Sequence, residues 1–140
     1  MTHVKASHII GIHHIGIVVD NISSKSVIYQ EKFGYKLESG IIHAVKQKVY
    51  VQFLNLDGYR IELIQPEGKD SPVYRFLQRG GGLNHICYES DDIEASVRYL
   101  RQEYGALPVS SERSTSIKNS RVAFLAKPNG EVIELVQFYK

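Results

Sequence analysis

The sequence predicts an α+β protein made of two copies of one strand–helix–strands unit, and three observations carry that prediction. The first is a repeat: a shift of 71 residues places His14 on His85, Ile15 on Ile86, Asp20 on Asp91, Ile22 on Ile93, Phe33 on Tyr104, Gly34 on Gly105, Phe53 on Phe124 and Leu54 on Leu125. One residue is then gained in a turn. At a shift of 72, Gly58–Gln65 lands on Gly130–Gln137 and Glu62 matches Glu134. The second observation is that each half opens with an apolar, β-branched run followed by an Asx helix start and a glycine stop. The third is an Asp-Gly or Asn-Gly pair set between two strand-like runs near the end of each half, the signature of a hairpin.

Each element follows in order. Ile9 to Val19 reads as a strand, and Asp20-Asn21 caps a helix that runs to about Phe33, where Gly34 ends it. A polar stretch through Ser39-Gly40 leads into a strand from about Ile41. Val49 to Leu56, Asp57-Gly58 and Tyr59 to Gln65 form a hairpin, because Asp-Gly accepts the positive φ angles of a tight turn. Ser71-Pro72 starts a short helix to about Gln78, and Gly80-Gly81-Gly82 ends it. The second half then repeats the plan: strand Leu83 to Glu89, cap Asp91-Asp92, helix to Tyr104, stop at Gly105, strand Val122 to Ala126, turn at Asn129-Gly130 and strand Glu131 to Phe138. Ser110 to Ser120, rich in serine, reads as a long polar loop, either a mobile lid over the site or simply a flexible connection. The expected layout is one domain over residues 1–140, with module one at about 9–66, a linker helix at about 71–79 and module two at about 82–138.

Composition narrows the function. With 140 residues, 43% of them hydrophobic, one folded body is expected. A formal net charge of +2, with the charges interspersed, gives no basic stripe for nucleic acid. The single Cys87 excludes an internal disulfide, the start offers no cleavable apolar stretch, and no run approaches the ~18 apolar residues of a membrane span. A cytoplasmic protein with no nucleic-acid or membrane partner is the expectation.

Strand parity selects the candidate site. His14 shares a face with Gly16 and Val18, whereas His13 shares one with Ile15 and Ile17. The repeat chooses His14, which matches His85, while His13 matches Asn84. Glu62 and Glu134 sit between apolar neighbours in Ile61-Glu-Leu63 and Ile133-Glu-Leu135, and the flanking leucines would pack on the helices, leaving the glutamates on the opposite face, which either meets water or, if the sheet curls around a cavity, is the concave one. A duplicated unit that keeps a histidine and a glutamate at matched positions predicts a pseudo-twofold metal site of two imidazoles and two carboxylates.

Those residues carry a resemblance. His14-Ile-Gly-Ile-Val-Val-Asp20 and Ile61-Glu-Leu63, with their second copies, resemble the vicinal oxygen chelate superfamily, which includes glyoxalase I, methylmalonyl-CoA epimerases, extradiol dioxygenases and the bleomycin resistance proteins. The resemblance runs from about Ile10 to Gln137 and implies two βαβββ modules whose curved mixed sheets enclose one divalent metal, held by His14, Glu62, His85 and Glu134. Within the superfamily it is nearest to the methylmalonyl-CoA epimerases, through Ile61-Glu-Leu-Ile-Gln-Pro66, Asp70-Ser-Pro-Val-Tyr-Arg-Phe-Leu77 and Gly82-Leu-Asn-His-Ile-Cys87. Some of those enzymes carry a further catalytic glutamate on the third strand of module one, where this chain has Tyr50, Val51 and Gln52. A homodimer is also implied.

The chemistry expected of such a site is proton transfer beside a carbonyl. Cobalt, nickel, zinc or manganese would suit the nitrogen and oxygen donors and leave positions for a chelating substrate. Glu134 or Glu62 would be the base. The substrate would be an acyl-CoA thioester, giving an epimerase, or a thiol hemithioacetal, giving a glyoxalase I-like lyase. A protein that only sequesters a ligand is the non-enzymatic alternative. His43 reads as a solvated strand-start histidine and Cys87 as a small buried thiol. Lys69, Arg75, Arg79, Arg113, Lys118 and Arg121 are candidates for the phosphates of a CoA carrier, against the plainer reading of solvated charge.

Overall fold

The computed structural model describes residues 6–114 and 116–140, apart from the side chains of Glu112 and Arg113. In chain order the elements are β1 (Ile9–Val18), α1 (Ile22–Phe33), β2 (Lys36–Leu37), β3 (Ile42–Ala44), β4 (Val49–Leu56), β5 (Tyr59–Pro66), α2 (Tyr74–Gln78), β6 (Gly82–Ser90), α3 (Ile93–Tyr104), β7 (Leu107–Arg113), β8 (Ser120–Ala126) and β9 (Val132–Phe138). They fall into two compact units: His14–Asn84, and Met1–His13 with His85–Lys140. The fold is therefore mixed α+β, as the sequence predicts. No helix among the described residues is long and apolar enough to cross a membrane.

In the unit His14–Asn84, β5 lies between β1, which it pairs in parallel, and β4, which it pairs antiparallel; β2 and β3 both pair β4 antiparallel, at Lys36↔Asn55 and Ile42↔Val51. α1 covers one face through a core of Val19, Ile22, Leu54, Ile61 and Leu63, packed by Ile17, Tyr29, Tyr35 and Tyr50. In the other unit β9 stands between β6, parallel, and β8, antiparallel, with β7 beyond β8. α3 covers its core of Ile93, Ala106, Ala123, Leu125, Ile133 and Leu135. Four of these core positions, Ile22, Leu54, Ile61 and Leu63, map onto Ile93, Leu125, Ile133 and Leu135 under the repeat. Both leucines expected to face the helices do so. Alternate residues of β5 and β9 must then turn the other way, which puts Glu62 and Glu134 on the face away from the helix.

The helix ends follow the local chemistry. Asn21 and Asp92 are the N-caps, accepting from the amides of Ser24 and Ala95, and Gly34 and Gly105 close the helices in the left-handed conformation. The one-residue gain in the repeat falls in the hairpin turns. Asp57 and Gly58, at φ 50 and 92, form a two-residue turn between Leu56 and Tyr59. In the second copy Lys127 and Glu131 close a loop of Pro128, Asn129 and Gly130, and only Gly130 has positive φ (95). That is a turn followed by a left-handed glycine, the three-residue form of the hairpin.

Two expectations are corrected. Residues 110–113 are not loop: β7 runs to Arg113, pairing Ser110 with Phe124 and Ser111 with Ala123. The serines sit on an edge strand whose backbone hydrogen bonds come from β8, so their weak strand preference does not decide their state. Pro108 is tolerated there because the register breaks between Pro108 and Ser110. The linker helix is also shorter than expected. Ser71 and Pro72 form a turn, with the Tyr74 amide donating to the Ser71 carbonyl at 3.1 Å, and the helix starts at Tyr74.

Candidate metal centre

Each unit builds one histidine–glutamate pair from the same ladder positions. In the first, β1 and β5 pair with Gly16 directly opposite Glu62, so His14, two residues earlier on β1, is the diagonal neighbour of Glu62 on the same face. Its Nε2 lies 3.2 Å from Glu62 Oε1. In the second, Cys87 is opposite Glu134, and His85 stands two residues before it with Nε2 2.9 Å from Glu134 Oε1. All four side chains are at most 9% exposed. Small residues, Gly16 and Cys87, occupy the place directly beside each carboxylate and leave it room to reach the imidazole.

An aromatic ring completes each pair. Phe53 is the direct cross-strand partner of Glu62, and its ring meets the His14 ring edge-on at 5.5 Å and 71°. Phe124 is the partner of Glu134 and meets His85 at 6.5 Å and 78°. Each pair thus faces an apolar ring on one side in a buried setting.

The donor set fits a divalent ion. Two ligands held at right angles by bonds of ~2.0–2.2 Å stand about 2.8–3.1 Å apart, the edge of an octahedron. The observed separations of 3.2 and 2.9 Å match that edge within about 0.1 Å. Imidazole nitrogen with carboxylate oxygen is also the donor chemistry that first-row divalent metals accept.

Of the remaining candidates, Cys87 borders the second pair, opposite Glu134. His13 meets Phe138, ring to ring at 5.7 Å, and is in the unit opposite to that of His14. His43 stacks on Tyr50 at 4.6 Å and pairs with Glu67 at 3.0 Å, both half exposed. Cys87 is fully buried. Arg121 is engaged by Glu94 and by Ser111 Oγ at 3.0 Å, so its charge is already matched; the same bond, and then the Glu94 backbone amide, hold the Glu94 carboxyl below the usual glutamate range. Lys69, Arg75, Arg79 and Lys118 lie on the surface or at its margin, while the Arg113 side chain lies outside the described residues. Tyr50 and Gln52 point to the helix side of β4, and Val51 to the side of Glu62.

Sequence reasoning matched Gln65 with Gln137 and Phe53 with Phe124 but gave none of them a task. The glutamines take the first amides of α1 and α3: Ile22 and Ile93 each donate to the glutamine Oε1 at 2.9 Å. The repeat was the available signal for both pairs.

Comparison with known proteins agrees with this architecture. A family model described as the glyoxalase/bleomycin resistance protein/dioxygenase superfamily matches residues 13–124. The mitochondrial methylmalonyl-CoA epimerase of Mus musculus is 31% identical over 130 residues, 90% of this chain and 72% of that protein. The crystal structure of methylmalonyl-CoA epimerase from Mycobacterium tuberculosis superimposes with a TM-score of 0.85 at 26% identity, covering 99% of this chain and 94% of that one. A Streptomyces coelicolor methylmalonyl-CoA epimerase variant, solved in complex with 2-nitronate-propionyl-CoA, gives a TM-score of 0.79 at 25% identity over 94% of this chain and 99% of that one.

Proposed function

This chain belongs to the glyoxalase/bleomycin resistance protein/dioxygenase superfamily, and from that premise we propose that it is a divalent-metal-dependent isomerase acting next to the carbonyl of an acyl-CoA thioester, methylmalonyl-CoA being the substrate its relatives suggest. On this reading residues 1–140 work as one domain, and His14, Glu62, His85 and Glu134 share one ion, cobalt, nickel, zinc or manganese. The carrying observation is the recurrence of the same Nε2–Oε1 pair in both copies of the repeat, at 3.2 and 2.9 Å.

When bound, the ion supplies Lewis-acid polarisation of the thioester carbonyl and so acidifies the neighbouring carbon. Glu134 accepts that proton at a carboxylate oxygen, and Glu62 or water returns one. A metal takes imidazole in its neutral form, so two carboxylates would balance a divalent charge. Glu62 and Glu134 are each only 6% exposed, a setting that would strengthen every charge interaction there.

One observation favours a second reading. Val51, not an acid, occupies the side of β4 that faces Glu62, so the pair glutamates, with water, are left to supply acid and base, as a glyoxalase I-like lyase acting on a hemithioacetal also requires. Heavy water separates the readings. The isomerase exchanges the α-hydrogen of methylmalonyl-CoA for deuterium only with metal present. Turnover of methylglyoxal plus thiol, with acyl-CoA inert, would establish the lyase; tight ligand binding without either reaction would establish a sequestering protein.

The protein is further expected to be a cytoplasmic homodimer. Ile10 and Ile12, at 57% and 62% exposure, leave apolar surface on β1 that a second copy would cover. A monomer in sedimentation at micromolar concentration would remove the dimer and leave the site reading intact.

A further inference from the structure

The two copies keep more than their ligands: Val51-Gln-Phe53 and Val122-Ala-Phe124 occupy matched stretches of β4 and β8. In each, the phenylalanine is the direct cross-strand partner of the pair glutamate and also lies edge-on to the pair histidine. One ring therefore stands beside both members of a pair. Cross-strand partners on one face stand with Cβ atoms about 4.5–5.5 Å apart, close enough for a ring to restrict the carboxylate. Edge-to-face rings at 5.5 and 6.5 Å fall within the attractive range of about 4.5–7 Å.

An imidazole attached through two rotatable bonds presents Nε2 to a fixed point only if something fixes its ring plane. Hydrogen bonds from outer residues usually do this. Here a phenyl ring also stands nearly perpendicular to each imidazole, at 5.5 and 6.5 Å between centroids. The glutamate of each pair is only 6% exposed, and a ring beside it would help exclude water that competes with an incoming ion.

We propose that Phe53 and Phe124 are positioning residues that set the imidazole plane and dryness of their own histidine–glutamate pair, and with it the affinity for a divalent ion. The inference rests on the ligand reading given under the proposed function. It assigns the two phenylalanines a task that a leucine cannot perform, because leucine has no ring to set perpendicular to the imidazole.

The test uses the full chain and cobalt(II) as probe. Phe53→Leu and Phe124→Leu are compared with Phe53→Tyr and Phe124→Tyr, which keep the ring. Metal affinity is read by competition with a chromophoric chelator, ligand geometry by the cobalt visible spectrum, and folding of the metal-free protein by urea. Each leucine variant should bind cobalt about 10–100-fold more weakly, the usual cost of losing a residue that orients a ligand, with an altered spectrum and a folded apo form, while the tyrosine variants recover affinity. Folded leucine variants with unchanged affinity and spectrum would overturn the inference. Recovery by neither tyrosine variant would overturn the role of the ring. If the unsubstituted protein binds no cobalt, zinc, nickel or manganese, the ligand reading itself fails, a result distinguishable from both.

Discussion

The amide of Ile93 donates to Gln137 Oε1 at 2.9 Å, while Gln137 Nε2 donates to the Asp91 carbonyl, also at 2.9 Å. One side chain on β9 thus satisfies the first amide of α3 and grips the turn before it. Gln65 takes the first amide of α1 at the same distance. Asn21 and Asp92 take the third amide of each helix, so strand and cap divide the free helix donors between them. The strand carrying each glutamate thereby also holds the start of the helix behind it.

Gln137→Ala and Gln65→Ala should each destabilise the protein by about 1–2 kcal/mol, the cost of a partly buried amide left without its acceptor. Urea unfolding measures this. A loss below ~0.3 kcal/mol would mean that water replaces the glutamine.

His14→Ala and His85→Ala should each reduce bound divalent metal steeply, because each removes one of the four proposed donors. His13→Ala should retain it, since His13 packs on Phe138. Elemental analysis of the purified variants decides between them. Equal retention in all three would remove the shared-ion reading.

Glu134→Gln should lose α-hydrogen exchange by roughly 10²–10⁴-fold, the usual contribution of a general base, while losing less of its metal. A carboxamide oxygen still coordinates but accepts no proton. Parallel loss of metal and exchange would make Glu134 a ligand only.

The Glu94–Arg121 pair predicts a small acid dependence. With the folded carboxyl held below its ordinary value, chiefly by Arg121, its contribution is present above the unfolded value and is lost as pH falls through the folded one. The pair is exposed, so Arg121→Ala should cost only about 0.2–1 kcal/mol near neutrality, less in high salt, and less again once Glu94 is protonated, when only the bond to Ser111 Oγ is left to lose. Stability curves of the two proteins that stay parallel down to strongly acid pH would contradict this.

What the sequence determined by itself lies where local chemistry or the repeat decides. Asn21, Asp92, Gly34 and Gly105 bound the helices because caps and left-handed stops depend on a few neighbouring residues. The face of Glu62 and Glu134 followed from the strand period, and the choice of His14 over His13 from the shift that pairs it with His85. Even β7 was within reach, since the shift carries the partly paired stretch from Lys36 to Ala44 onto residues 107–115; serine content obscured it. Only the tertiary structure decided which residues touch across strands. Register made Phe53 the partner of Glu62 and Phe124 that of Glu134, set Val51 rather than Gln52 on the glutamate side of β4, and turned Arg121 to Glu94 instead of leaving its charge to a ligand. A ladder is formed by backbone groups that every residue carries, so side chains fix it only through packing of the whole sheet, which no single segment contains.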